Sequence, residues 1–414
     1  MTSNKPINEL YVWLWLPGAL DPVPAGRVYR AGNGFNFHYG NRYVERNDAI
    51  SLNPDELPLR KGSHQPIGGM IMPSCLRDGS PDAWGRRVII HRMMGSSASA
   101  DTEMDELTYL IESGSDRVGA MDFQRSSSEY VPRETESASL EELQEASSRV
   151  EKGLPLTPGL ERALNHGTSI GGARPKALLK DGDKKYVAKF SSSTDTQNVV
   201  KGEFVAMRLA DRAGLEVAPV RMESAAGRDV LLVERFDRVP RTGGFERKLM
   251  LSALTLFQLD EMMARYASYD LLADMIRQKF HNPTGSLREL YRRMVFNVLC
   301  GNTDDHARNH AAFYDGKALA LTPAYDICPQ NRNTGIASQA MALLDGKSQS
   351  TLALCREAAH KFNLNSQQAK EDIESLEHVI QSGWDQVCDE AQMTDTEKRF
   401  FWKRQFLNPS IYEG

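Results

Sequence analysis

Cysteine is scarce and scattered in this chain. Its five residues, Cys75, Cys300, Cys328, Cys355 and Cys388, are odd in number and include no Cys-x-x-Cys pair, which argues against both a disulfide framework and a structural zinc. That usage fits a reducing, cytoplasmic compartment. No stretch approaches the roughly 20 apolar residues that a membrane span needs. No charged segment followed by an apolar core opens the chain, so neither membrane nor export is expected. Charge of one sign is not in excess either: the net value of −5 provides no basic field for tight non-specific nucleic-acid binding. What is present suits a soluble globular protein, with 414 residues, 41% hydrophobic and 25% charged, enough for two or three units with a sizeable core.

The chemistry concentrates in Asn302-Thr303-Asp304-Asp305-His306-Ala307-Arg308-Asn309-His310, where acids, amides and imidazoles crowd between two apolar segments. Residues 287–300 place Leu290, Met294, Val295 and Val298 on one face at helical spacing, and residues 311–321 alternate as a hairpin about Asp315-Gly316. Asp304 and Asn309 are five apart. Phosphoryl transfer uses that separation when one side chain orients the attacking hydroxyl and the other holds magnesium. A solvated loop of capping residues has the same composition, so the stretch does not decide alone. The hairpin adds to it. Pairing brings its open ends together, and Leu321-Thr322-Pro323-Ala324-Tyr325-Asp326 then returns Asp326 toward Asn309 and Asp304. All three are hard oxygen donors suited to magnesium and phosphate, whereas a zinc reading through His306 and His310 lacks cysteine partners.

A second informative stretch is Thr168-Ser169-Ile170-Gly171-Gly172-Ala173-Arg174-Pro175-Lys176. It is neither a Walker A loop nor a Gly-x-Gly-x-x-Gly loop, but its glycines would let backbone amides approach phosphate oxygens. Residues 177–180 and 185–190 form an expected hairpin about Asp181-Gly182-Asp183-Lys184, which sets Lys189 opposite Lys176 and beside the loop. There Lys189 can reach phosphates, or simply snorkel at a sheet edge. The helix expected over 199–213 turns Val200, Phe204 and Met207 inward with Glu203 at the border, so that an ion pair to Lys189 and a solvated carboxylate are both open. Strands over 221–223 and 229–233 follow, and the chain leaves them through Glu234-Arg235-Phe236-Asp237-Arg238, which reads as a hinge.

Upstream, residues 10–16 and 34–39 read as strands with glycine- and proline-rich turns between them. Ser80 reads as an N-cap with Pro81 at the first helical position, residues 105–113 as a helix, and 114–123 as extended chain. A polar stretch over 125–139 is the candidate linker, followed by a short helix over 140–150. Helix-spaced apolar residues dominate downstream, over 269–280, 287–300, 351–362 and 366–387. A β-rich small lobe thus precedes a helical large lobe.

Six segments carry a resemblance in the right order: 114–123, 169–176, Val187-Ala188-Lys189-Phe190, Val233 to Arg238, Asn302 to Asn309, and Leu321 to Asp326. On these, the chain resembles the HipA-family serine/threonine kinases, toxins of bacterial type II toxin–antitoxin systems. The resemblance implies an α+β, bilobal protein-kinase-like fold. Its units would be an N-terminal β-rich subdomain over 1–125, a kinase small lobe over 126–235 and a helical lobe over 236–414. It implies ATP and Mg2+ as cofactors, Asp304 as catalytic base, Asn309 and Asp326 as magnesium ligands, and Lys189 on the phosphates. Ser169, Gly171, Gly172, Ala173 and Lys176 of the glycine loop and His306 of the Asn-x-Asp-x-His-x-Lys-Asn pattern join the nucleotide site in that reading. It further implies that backbone groups at Glu234 and Phe236 bind adenine, that Asp237 lies near the ribose, and that Ser169 is autophosphorylated. The implied partners are a protein substrate, such as an aminoacyl-tRNA synthetase or another translation-related protein, and a HipB-like DNA-binding antitoxin through which alone DNA is reached.

The chain departs from the family at Arg174-Pro175 inside the loop and at Arg308, where lysine is frequent; arginine keeps the charge, but its planar fork is not equivalent to an ammonium. Three other readings compete: a small-molecule kinase, an ATP-binding pseudokinase that docks partners, and a DNA-binding regulator. Asp304, Asn309, Asp326 and Lys189 together oppose the second, and the lack of a helix-turn-helix signal with a basic stripe opposes the third.

Overall fold

The computed structural model describes residues 7–95, 102–133, 138–157, 159–161, 174–192, 195, 197–332 and 335–413. Strands β1 (Glu9–Leu14), β2 (Val23–Ala31), β3 (Gly34–Tyr39), β4 (Ser63–His64) and β5 (Met121–Gln124) make one antiparallel sheet in the order β4-β3-β2-β1-β5. β2 is central to it, although its sequence reads as turns. Pro24 pairs with Trp13 where the β1–β2 register shifts, a β-bulge that spares a proline its missing donor. A Cβ on Gly26 would lie 2.3 Å from the His38 carbonyl oxygen, so this glycine permits close approach of strands and marks no turn.

The stretch expected to be a linker lies instead on this sheet as far as residue 133. Trp13 donates its indole N–H to the Ser126 carbonyl at 2.9 Å, and the Tyr130 ring stands 5.4 Å from both Trp13 and Trp15. Asp122 anchors the region. It is fully buried and accepts from Arg117 Nε and Arg133 Nη2, each at 2.8 Å, and from Ser115 Oγ at 2.7 Å. Burial alone would raise its carboxyl, but Arg117 and then Arg133 outweigh that and hold it below the usual range. Asp122→Ala would leave the buried Arg117 guanidinium without its counterion, an expected loss of about 3–5 kcal/mol of stability in a urea or thermal melt. An Asp122→Ala midpoint matching the parent would contradict this anchor.

The small lobe is a second antiparallel sheet, β6 (Lys176–Asp181), β7 (Lys184–Phe190), β8 (Val220–Ala225) and β9 (Arg228–Glu234), in the order β6-β7-β9-β8. Gly182 turns β6 into β7 at φ +61°, and the register pairs Lys176 with Lys189 as expected. The helix Val199–Arg212 is capped by Asn198, which accepts from the Lys201 amide at 3.2 Å. It packs on the long helix Ser366–Glu390 of the large lobe. Gly202 allows Phe401 to close on this helix, since a Cβ there would come within 2.6 Å of the ring.

A ribbon of β10 (Arg238–Arg241) and β11 (Gly244–Arg247) joins the lobes. The large lobe holds helices Tyr269–Lys279 and Pro283–Cys300 beside a three-stranded sheet, β12 (Met250–Ser252), β13 (Ala311–Tyr314) and β14 (Leu319–Leu321). The expected N-cap at Ser80 moves to Asp82. The helix starts at Ala83, and the Asp82 carboxylate accepts from the Gly85 amide at 2.7 Å. An ionised carboxylate satisfies that free N–H and favours the positive end of the helix. Among the described residues no helix is long and apolar enough to cross a membrane.

Candidate active site

The helix Pro283–Cys300 stops at Gly301, whose φ of +75° favours glycine and where a Cβ would lie 2.7 Å from the Gln405 carbonyl oxygen, too close for any side chain. The loop that follows rests on a buried polar network. Asn302 donates to Asn297 Oδ1 at 3.0 Å, and Asn297 donates to the Tyr269 hydroxyl at 3.2 Å. Tyr269 in turn donates to Asp305 Oδ2, while Asp305 Oδ1 meets His310 Nε2 at 2.9 Å. Asp305 is thus a buried structural acid, and its neighbour Asp304 is exposed. Residues Ala307–Asn309 make one 3-10 turn, and the Asn309 side-chain amide donates to the Asp304 carbonyl at 3.3 Å. The two expected catalytic residues of the loop are therefore held side by side.

The hairpin β13–β14 pairs Ala312 with Leu321, and the Thr322 amide donates back to the Ala311 carbonyl at 3.1 Å. Ala324 is then fixed to the small lobe, donating to Glu216 O at 2.7 Å and accepting from Ala218 N at 2.9 Å. The Tyr325 hydroxyl donates to the Arg308 carbonyl at 2.7 Å. These ties bring Asp326 to the site in a left-handed backbone, φ +59°, that aspartate tolerates better than most residues. Lys189 Nζ donates both to Asp326 Oδ1 and, at 2.5 Å, to Glu203 Oε1. Glu203, left at the border by helical spacing, is 2% exposed and ion-paired, which settles the alternative left open by the sequence.

Charge couples these groups. Burial would raise the Asp326 carboxyl, yet the Lys189 ammonium more than offsets it and holds the group at about 2. Burial would likewise lower Lys189, but Asp326 and then Glu203 raise it above its ordinary value. Glu203 is raised, first by burial, with Lys189 opposing and Asp326 adding. Asp304 is raised too: partial desolvation is the main cause, His306 opposes it, and the negative charges of Asp326 and Asp305 add to it.

Other expected residues stand differently. Ser169, Gly171, Gly172 and Ala173 lie outside the described residues. Lys176 is buried and its ammonium meets Asp82 Oδ2 at 3.1 Å, a partner from the N-terminal unit that the loop sequence does not announce. His306 is half-buried and adjoins the Asp304 backbone, its amide donating to Asp304 O at 3.0 Å. Glu234 donates its amide to Pro219 O at 2.9 Å and pairs its side chain with Lys184 at 2.7 Å. The Phe236 ring stands 5.5 Å from Tyr325 and 5.9 Å from Phe313.

Asp237 is tied into the protein. Its carboxylate is buried and accepts from Arg235 Nη2 at 2.8 Å, from Arg238 Nη1 at 2.9 Å and from the Gly119 amide at 2.8 Å, partners that the sequence does not announce. The hinge reading of 234–238 changes for the same reason: Arg235 and Arg238 are buried, and the segment is fastened rather than loose. Charged residues leaving an apolar strand look solvated from sequence, because the partners that bury them come from the loop around Asp116, far away along the chain.

The HipA N-terminal domain family matches residues 16–124, and the HipA-like C-terminal domain family matches residues 168–384. The chain is 28% identical over 200 residues to the putative kinase Y4mE of Sinorhizobium fredii, covering 43% of this chain and 46% of that protein. It is 27% identical over 183 residues to the serine/threonine-protein kinase toxin HipA of Shewanella oneidensis, covering 38% and 42% respectively. The chain spans about half the length of the curated relatives it matches. It is also similar to a solved chain from the Shewanella oneidensis complex of HipA, HipB and operator DNA, with a TM-score of 0.71, 18% identity, and coverage of 97% of this chain and 99% of that one. That likeness shows the fold, an α+β bilobal kinase-like arrangement.

Proposed function

The chain belongs to the HipA family, and from that premise we propose that it is an ATP- and magnesium-dependent serine/threonine protein kinase, the toxin of a HipA-type toxin–antitoxin system. The observation that carries this reading is Lys189 bonded to both Glu203 and Asp326, with exposed Asp304 and half-buried Asn309 on the adjoining loop. These residues fit a magnesium–nucleotide complex by their chemistry: a buried ammonium for phosphate, and carboxylate and amide oxygens for a hard cation. Asn309 and Asp326 would hold the magnesium, which when bound neutralises charge on the phosphate oxygens.

Lys189 would pair with those oxygens, kept charged by Glu203 whenever Asp326 turns to the metal. Asp304 orients a serine or threonine hydroxyl and takes its proton as the oxygen bonds to phosphorus and ADP leaves. The protein substrate in this reading is translation-related, such as an aminoacyl-tRNA synthetase. The antitoxin partner is HipB-like and supplies the only contact with DNA; the similar solved HipA is accompanied by HipB and operator DNA. Titration of the purified chain with ATP tests the nucleotide site: saturable binding that tightens with magnesium is expected, and no binding under either condition would overturn the proposal.

Ser169 of the glycine loop is proposed as an autophosphorylation site that turns the enzyme off, because phosphate adds about −1.5 to −2 charge beside a bound triphosphate. Arg174, which is ion-paired to Asp195 at 2.7 Å, or another nearby cation would receive the dianion. Mass spectrometry after incubation with ATP and magnesium should find phosphate on Ser169 in the parent and none in Asp304→Ala, with ATP affinity falling as the modified fraction rises. An active enzyme whose Ser169 stays unmodified would remove the switch.

A further inference from the structure

The loop between the helix Glu106–Glu112 and β5 belongs to the N-terminal unit, yet its polar groups are spent on the segment that leaves β9. Asp116 accepts from Arg235 Nη1 at 2.9 Å, Arg238 Nε at 3.1 Å and Lys185 Nζ at 2.7 Å. The Arg117 carbonyl accepts from Arg235 Nη2 at 2.6 Å and from Arg238 Nη2. Gly119 works both ways, its amide donating to Asp237 at 2.8 Å and its carbonyl accepting from Arg238 at 2.8 Å. The Ser115 carbonyl takes Arg247 Nη1 at 2.8 Å.

Among the described residues Lys185, Arg235, Arg238 and Arg247 therefore surround Asp116, with Asp237 as the second carboxylate: four cations against two anions, the balance being met by loop carbonyls. A cluster so short of negative charge depends on each carboxylate it has. The fastened segment leads toward the proposed nucleotide site. Phe236 lies inside it and packs on Tyr325, which precedes Asp326 and donates to the backbone at Arg308.

We infer that Asp116 is a positioning residue for the nucleotide: through Arg235 and Arg238, the N-terminal unit holds residues 234–238 where ATP must be met. This rests on the proposed kinase reading and gives the N-terminal unit a part in substrate affinity, over and above any part in partner binding. Because Asp116 touches no reacting atom, its loss shows in ATP affinity and not in turnover at saturation.

The test compares the parent with Asp116→Asn, Asp116→Glu and the double variant Asp116→Asn/Lys185→Met. The double variant leaves three cations against one carboxylate, the same excess of two as the parent, and so keeps the charge balance while cutting the tie. The expected result is a rise in the ATP KM of roughly tenfold, the scale of a slightly misplaced binding group, with kcat within about twofold and substantial recovery in Asp116→Glu. In the parent itself, ATP should slow hydrogen exchange at the amides of Asp116 to Gly119 together with those of 235–238. A parent that binds no ATP removes the kinase reading and this inference together. A parent that binds ATP without protecting residues 116–119, or folded variants with an unchanged ATP KM, removes this inference alone.

Discussion

Asp304→Ala lowers phosphoryl transfer by about 10² to 10⁴-fold while ATP affinity stays close to that of the parent, the expected outcome for a positioned proton acceptor. The fold separates Asp304 from its neighbour in a way that makes this specific. Asp305 is buried, bonded to Tyr269 and His310, and supports the loop; Asp304 is exposed beside Asn309. Asp305→Ala should therefore damage folding, and Asp304→Ala should leave the melting curve unchanged. The pH profile follows from the same environment. Desolvation and the charges of Asp326 and Asp305 raise the Asp304 carboxyl, and a base works only when ionised. The acid limb of kcat/KM should lie above the ordinary aspartate value of about 4, with activity present above the raised value and lost as pH falls through it. The same limb should be missing from the residual activity of Asp304→Ala.

Asp326→Ala has a different signature, since it removes a magnesium ligand and one of two partners of Lys189. Both MgATP affinity and turnover should fall. The loss in kcat/KM is expected to reach about two to three orders of magnitude, the scale of the several kcal/mol of charge stabilisation that a bound metal supplies. Alanine is also disfavoured in the left-handed backbone at this position, φ +59°. Asp326→Asn is the sharper variant, because asparagine tolerates that backbone and cannot supply the anion. Equal MgATP affinity in Asp326→Asn and the parent would refute the assignment. Lys189 should remain charged in the variant through Glu203, so metal-free ATP should lose less affinity than MgATP.

The parts of the fold that were legible in sequence are those decided by local chemistry. Gly182 turns one hairpin at φ +61° and Gly316 the other at +93°, and each turn fixes its register; hence Lys189 falls opposite Lys176, and Asp326 returns toward the catalytic loop. The helices expected over 199–213 and 287–300 follow from 3.6-residue spacing, the second beginning a turn earlier than expected, at Pro283 behind the Asn282 cap. What sequence misread was decided at a distance. Pro24 and Gly26 look like breakers until a bulge and a close strand crossing are seen around them. Nothing near Lys176 in sequence announces that Asp82 meets its ammonium. Residues 234–238 read as a hinge until the loop around Asp116 is seen to fasten Arg235, Asp237 and Arg238. For Lys176 and for residues 235–238 the partner comes from a different unit of the chain, where no periodicity connects the two.

The measurement that bears most directly on the proposed activity is transfer of label from γ-labelled ATP. The purified parent and Asp304→Ala are incubated with magnesium and cell extract, and every labelled species is identified. Label should appear on serine or threonine of protein with the parent, Ser169 included, and should fall by about 10² to 10⁴-fold with Asp304→Ala. Label confined to a small metabolite would contradict the protein-kinase reading, and equal protein labelling by the two chains would contradict Asp304 as the base.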